Sequence, residues 1–539
     1  MQSISMNEKP NLNAGIRRQA SRRVSASTLA FLGRKGSFRR MRTLAVLDVV
    51  LRPSRAATLA VCLFATDLVA ESPVDWRYTL LPSSQLVDDC YCGRPTLLLP
   101  LRGTFDLKSQ VMHPLFVRYA VTNIAWEAST GAGTAYKIRG HGWYEVGGEV
   151  AVVQTMALDL QIDNGFTNRP CSFTNSNYSP GRLWPMLQVH LDETNQAVMQ
   201  FYRLDLDAAP FHELWFSTAN GFTPGIWPPF TEHVSGGDLV SSTGRVVKRN
   251  QELTRQLGIM PVVPDLGLDA LEMLPGGEIA FSVEDDIFSE TLGALHHGDL
   301  LSNRGRVVTA YDKLSGAFGP EPPPANQGLD AVQVLANGEL YFSVEQDFFS
   351  EALGRTIRKG DLLSSLGVVI RSNEELIAQF QPADPKQDYG LDALYVWPGG
   401  EIWFSVENGF HGPHFENYGP GDLLSDQGYV VYRNLDLMQS FQPLEDLADF
   451  GLDSLFIISD DDIPESSQQR PESTGVAIAP GGADLLITWK AGGRVFQLER
   501  APSIVGPWEP ISPIQPEPPV LDAGALTNAP QGFYRLRQW

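Results

Sequence analysis

An all-β protein is what this chain predicts, and three observations predict it. Nearly the same twenty residues occur three times: GLDALEMLPGGEIAFSVEDD from Gly267, GLDAVQVLANGELYFSVEQD from Gly328 and GLDALYVWPGGEIWFSVENG from Gly390. A fourth copy begins, and stops, at GLDSLFIISD (451–460). The flanking stretches alternate apolar and polar residues with the period of a strand, and none sustains the period of a helix. Finally, 49 glycines and 38 prolines among 539 residues favour turns and short strands. A chain of this length exceeds one ordinary core, so several domains are expected.

The first 70 residues read as a basic leader ending in an export signal. Residues 1–55 hold twelve Lys/Arg and two acids, and the apolar run AATLAVCLFATDLVA (56–70) follows. That order of basic region, apolar region and small residues places a cleavage site near Ala70. The run is too short to span a membrane, and no transmembrane segment is expected after cleavage. The upstream stretch is long for a signal, which makes Met41 a candidate true start; a disordered basic tail is the bland alternative. From Glu71 onward 60 acidic side chains face 29 basic ones. So acidic a surface repels phosphate backbones and argues against nucleic acid, whereas divalent cations suit it. The expected location is secreted, periplasmic or at the cell surface.

Residues 71–209 predict a β-sandwich or open barrel. TAYKIRGHGWYEVGGEVAVVQTMALDLQID alternates around Gly147-Gly148, and LWPMLQVHLDETNQAVMQFYRLDL does so around DETN (192–195), two hairpin patterns. Between them NGFTNRPCSFTNSNYSPGRLW (164–184) reads as irregular, either a binding loop or a cover for a sheet edge. Three cysteines follow the cleavage site. On a strand Cys90 and Cys92 point the same way, which discourages a bond between them, and a Cys92–Cys171 disulfide is the expectation.

Residues 210–460 hold the repeats. Gly-Leu-Asp starts at 267, 328, 390 and 451; an apolar-Phe-Ser phrase has its Phe at 216, 281, 342 and 404; Gly-Asp-Leu has its Asp at 238, 299, 361 and 422. Repeats of this length indicate a propeller or a stacked array. Each unit resolves into four short strands, with a Gly-bearing turn between the first two and an Asn/Asp-led helical turn after the fourth. The first copy lacks Gly-Leu-Asp and the last lacks everything after it. A four-bladed β-propeller closed by the C-terminal GLDS strand uses both halves and leaves no free edge. An open array would need distinctive capping repeats instead.

Residues 461–475 read as a linker. Residues 476–539 predict a small fibronectin-like β-sandwich anchored by Trp489, Trp508 and Tyr534.

GLDALYVWPGGEIWFSVENGF resembles the hemopexin-type blade, in which Asp-Ala opens the inner strand. The resemblance implies four blades and ions held in the central channel near the start of the inner strands. ITWKAGGRVFQLERAPSIVGPWEPIS…GFYRLRQW is similar to a module found at the ends of large secreted proteins of the Verrucomicrobia–Planctomycetes group, which implies export.

No nucleophile elbow, zinc motif, phosphate loop or Cys-x-x-Cys pair is present. The candidate site is therefore what the repeats keep. Asp269, Asp330, Asp392 and Asp453 fall at one point of every blade, beside the expected axis. Either a shared Ca²⁺ compensates their repulsion, or each accepts hydrogen bonds from turn N–H groups and only positions its strand. Asp238, Asp299, Asp361 and Asp422 read as turn caps, and the Phe-Ser serines as backbone ties. Glu284, Glu345 and Glu407 lack a fourth partner, since Ala219 stands in the first blade. Trp227, Phe230, Phe410, His411, His414 and Phe415 lie in long loops that depart from the repeat, where they would stack on sugar rings or pack over the ring. The expected function is a secreted, non-enzymatic binding or scaffold protein, with an extracellular glycan or protein as partner and Ca²⁺ in the ring. A polysaccharide-active lyase or hydrolase using carboxylates on the propeller face is the alternative.

Overall fold

The computed structural model describes residues 46–49 and 75–539, apart from 130–134, 149–151, 176–178, 181, 195–199, 227–231, 322–325, 414–415, 461–474 and 529–530. Most of the expected leader, its cleavage site and the linker lie outside the described residues. Val46–Val49, inside that leader, pairs antiparallel with the C-terminal strand Gly532–Gln538.

Alternation shapes the first domain. In Val153–Asp163 every second residue is buried, which is what a sheet with one core face requires. Its strands run antiparallel from Leu97–Met112 through Phe116–Ala128, Tyr136–Gly147 and Val153–Asp163. Leu187–Glu193 pairs with both Asn168–Asn175 and Gln200–Ala209, so the sheet curls round a single core that includes Tyr78, Phe105, Trp126 and Tyr144. The segment 164–184 differs from expectation. Asn168–Asn175 inside it is a strand, and Cys171 and Phe173 enter the core. Its Asn, Pro and Ser content masks an alternation only three residues long.

Four four-stranded sheets form the body of the repeat region, with three smaller sheets of two or three strands beside them. Three are built in chain order, each beginning with an inner strand: Leu271–Leu274, Val332–Val334 and Leu394–Val396. The remaining one, first in chain order, combines the two ends. Ser454–Ser459 pairs with Phe211–Ser217 and becomes the inner strand of the first sheet. The four inner strands contact one another in cyclic order, so the sheets form a closed, propeller-like ring.

Buried serines tie each sheet to the next. Ser217 Oγ donates to the carbonyl of Leu268 at 2.6 Å, Ser282 to Leu329 at 2.7 Å, Ser343 to Leu391 at 2.6 Å and Ser405 to Leu452 at 2.6 Å, which completes the circle. Capping is equally regular. Asp238, Asp299, Asp361 and Asp422 each accept the first N–H of a short helical turn, from Asn250, Tyr311, Asn373 and Asn434. Satisfying those otherwise orphaned donors is the ordinary use of an aspartate at a helix start.

The third domain is two small sheets around Ile487, Trp489, Phe496, Leu498 and Tyr534. Trp508 is not part of that core and instead lies half-buried under the Arg535 guanidinium, 4.8 Å from its ring centre. All three domains meet at Asp460, the residue after the closing strand. Its carboxylate accepts Arg77 N–H (3.0 Å), His212 Nε2 (2.8 Å), Arg537 Nη2 (3.1 Å) and Trp539 Nε1 (3.0 Å). Burial holds His212 below its ordinary range despite that carboxylate.

Candidate functional site

Each Gly-Leu-Asp phrase is a tight approach to the axis. Gly267, Gly328, Gly390 and Gly451 have φ of +74°, +77°, +77° and +79°, a region that side chains disfavour. A Cβ would also collide there. At Gly328 it would stand 2.2 Å from the Glu345 carboxyl carbon, and at Gly451 2.5 Å from Ala219 Cβ. The glycine thus lets the backbone turn beneath the Phe-Ser-Val-Glu strand, and the next residue but one is the aspartate.

The four aspartates converge. Asp269, Asp330, Asp392 and Asp453 line one cavity of about 480 Å³, with Glu345 and Glu407 of the neighbouring phrase. The cavity lies at the Gly-Leu-Asp end of the inner strands. The opposite end, at the glycine turns, carries the flanking domains: a Cβ at Gly277 would fall 1.8 Å from the Pro516 carbonyl oxygen, and one at Gly399 2.0 Å from that of Trp184. Arg494 of the third domain binds Glu272 and the Val334 carbonyl at the same end.

The environment of the carboxylates separates the two expectations. Among the described residues no N–H or O–H reaches any of the four, so they are not backbone ties. Asp269 is only 8% exposed, and its Oδ2 has no partner. Oδ1 of Asp392 is buried and unpartnered as well. Burial first, then mutual repulsion, pushes Asp269, Asp330 and Asp392 well above the usual carboxylate range, and burial carries Asp453 up to about 7. The capping aspartates one strand away, of identical chemistry, have their backbone donors. The difference is position alone.

Of the three glutamates, Glu345 and Glu407 line the cavity. Glu345 is raised to about 7, chiefly by burial, and its Oε2 stands 3.8 Å from His297 Nε2. Glu407 is paired with Lys359. At the first blade Ala219 lines the cavity in place of a glutamate.

In donor chemistry the cavity fits a hard cation, which takes six to eight oxygens from carboxylates, carbonyls and water. Among the described residues no three acidic, His or Cys side chains stand close enough to ligate one ion directly. The room in the cavity means that water or main-chain oxygen would complete such a shell.

The other sequence candidates fare differently. Trp227, Phe230, His414 and Phe415 lie outside the described residues. Phe410 is not a ligand surface: it is 3% exposed, packed among Phe380, Tyr389 and Tyr418. Its loop folds back as a short hairpin and buries it, whereas His411 beside it is exposed. The Cys92–Cys171 bond does not form. Cys90 ends its strand, the chain turns, and the Cα atoms of Cys90 and Cys92 come within 5.2 Å, so these two are bonded and Cys171 is a buried free thiol. Sequence reasoning missed Asp460, hidden in an acidic run that resembles a linker, and Arg494, which no repeat signals.

No family profile and no curated protein matches the chain. Among solved structures, the extracellular domain of a putative hybrid two-component system from B. thetaiotaomicron is similar at 10% identity, over 80% of this chain and 82% of that one, with a TM-score of 0.18. So slight a likeness assigns no role to any residue. No helix among the described residues is long and apolar enough to cross a membrane.

Proposed function

We propose that this chain is an exported binding or scaffold protein whose ring of sheets is tied at its centre by Ca²⁺. One observation carries the reading: four aspartates, Asp269 buried and the other three half-buried, converge with no hydrogen bond to their carboxylates among the described residues, and two of their oxygens are buried and orphaned. A buried carboxylate left charged and unpaired costs several kcal/mol, and protons or a cation would neutralise it. The acidic balance of the chain and the absence of a recognisable catalytic motif support a binding role over an enzymatic one. Extracellular glycan or protein is the partner class that suits an exported ring with an open mouth.

The test is thermal unfolding of the full chain, prepared metal-free, with and without Ca²⁺ at pH 8. At a hundred times the dissociation constant the ion adds about 2.7 kcal/mol, a rise of roughly 5 °C for domains of this size. Asp330→Asn should abolish that rise. An unchanged midpoint in the parent chain would sink the reading.

Glu345 and Asp453, both near 7 in an open cavity, favour a second reading, a polysaccharide lyase or hydrolase. It requires product release from a polysaccharide panel that Glu345→Gln eliminates. The binding reading expects none.

A further inference from the structure

The first domain carries a disulfide that stability does not account for. Cys90 ends the strand Gln85–Cys90, Cys92 follows in an exposed turn, and the two are bonded across a single intervening residue, Tyr91. A disulfide stabilises mainly by restricting the unfolded chain, and the effect grows with the loop it closes. This loop is about as short as one can be. The bond also lies near the surface, with Cys90 half-buried. Cys92 is exposed, Tyr91 is 71% exposed, and Leu98 on the paired strand is 61% exposed. Exposed disulfides are the labile ones that take part in exchange, whereas structural bonds are usually shielded.

The turn also prepares a leaving group. Cys92 N–H donates to Cys90 Sγ at 3.3 Å, and a donor so placed stabilises a thiolate when the bond opens. The third cysteine does not compete: Cys171 is buried and its thiol is pushed up to about 12.

We propose that Cys90–Cys92 is a redox-active disulfide that exchanges with external thiols. A donor thiolate attacks the exposed Cys92 Sγ, a new sulfur–sulfur bond forms, and Cys90 leaves as a thiolate beside the Cys92 N–H, then takes a proton from water. A second donor thiolate attacks the donor sulfur of this mixed disulfide and releases Cys92, which is protonated in turn. Two donor thiols become one disulfide, and the two electrons they lose reduce Cys90 and Cys92. The reverse sequence oxidises a substrate dithiol. Glutathione and a protein dithiol share this chemistry, and the apolar strip of Tyr91, Leu97 and Leu98 is positioned to meet either.

The test uses the full folded chain, equilibrated in glutathione buffers of graded ratio, quenched with acid, alkylated and weighed by mass spectrometry. Two thiols should appear, at Cys90 and Cys92, at ratios that leave the long-loop disulfides of a secreted control protein intact, with no change in thermal midpoint. Cys90→Ser should collect one glutathione at Cys92 from oxidised glutathione, roughly tenfold faster than Cys92→Ser collects it at the less accessible Cys90. Reduction at equal thiol concentration by glutathione or by a thioredoxin-type protein assigns the donor to whichever is faster. Reduction only in denaturant, a midpoint lowered by several degrees on reduction, or free thiols at both Cys90 and Cys92 in protein prepared under air would each overturn the proposal.

Discussion

Aspartate is used in two opposite ways within each repeat, and the contrast governs how the protein responds to pH and to substitution. Asp361 accepts N–H groups from Arg358 and Asn373, whereas among the described residues Asp392 accepts none and has a buried, orphaned oxygen. In metal-free protein at pH 8, Asp361→Ala should lower the urea midpoint by the equivalent of about 1–2 kcal/mol. Asp392→Asn should raise it, because it removes a buried like charge from the cavity. The pH dependence has a definite sign. The cavity aspartates have folded pKa values above the unfolded value near 3.9, so the folded state holds protons that the unfolded state has released. That contribution is complete below about pH 4 and is lost as pH rises through the folded values, Asp453 at about 7 among them. Metal-free protein should therefore lose stability between pH 5 and pH 8, less so in Asp392→Asn, and Ca²⁺ should restore most of the loss. Urea midpoints at the two pH values, with and without the ion, measure it; a loss equal in parent and variant would place its origin outside the cavity.

At the scale of the element, each sheet is joined to the next by a hydroxyl that donates to the inner-strand carbonyl of its neighbour. Ser343 is fully buried, and its bond to Leu391 links the third sheet to the fourth. Ser343→Ala leaves that carbonyl without its donor, and the expected cost is about 1–3 kcal/mol by chemical denaturation. Because the hydroxyl donates to a main-chain carbonyl and not to a cavity carboxylate, the Ca²⁺ response should survive. Loss of both would mean that the serines shape the cavity as well as the ring. The short strands, Gly turns and capped helical turns were all legible in the repeated phrase, since each depends on residues close in sequence. The strand within 164–184 was not, because its pairing partners lie on both sides of it and its own alternation is too short to read.

For the molecule as a whole, closure is the decisive event. Ser454–Ser459 completes the first sheet with a strand more than two hundred residues removed from its partner Phe211–Ser217. A chain ending at Asp460 keeps that strand, and one ending at Phe450 does not; both lack the third domain. The first should unfold in one cooperative transition of the ring, followed by calorimetry, and the second should show none. Equal behaviour would mean that the ring does not need its own closing strand. Asp460 adds a second tie, since one buried carboxylate joins residues of all three domains.

The amino-acid sequence by itself determined the all-β class, the repeat and its four-strand unit, the complementary halves at the ends of the ring, and the choice of Asp269, Asp330, Asp392 and Asp453 as the residues to watch. Those follow from local patterns repeated in register, where burial and turn chemistry act on neighbours in the chain. Only the tertiary structure decided that these aspartates find no hydrogen-bond donors among the described residues, that Phe410 is core, that Cys90 bonds Cys92, and that Asp460 and Arg494 fasten the domains together. Each of these depends on which groups from distant parts of the chain arrive within a few ångströms. Hydrogen bonding, desolvation and covalent bonding are set by that distance, and no local pattern encodes it.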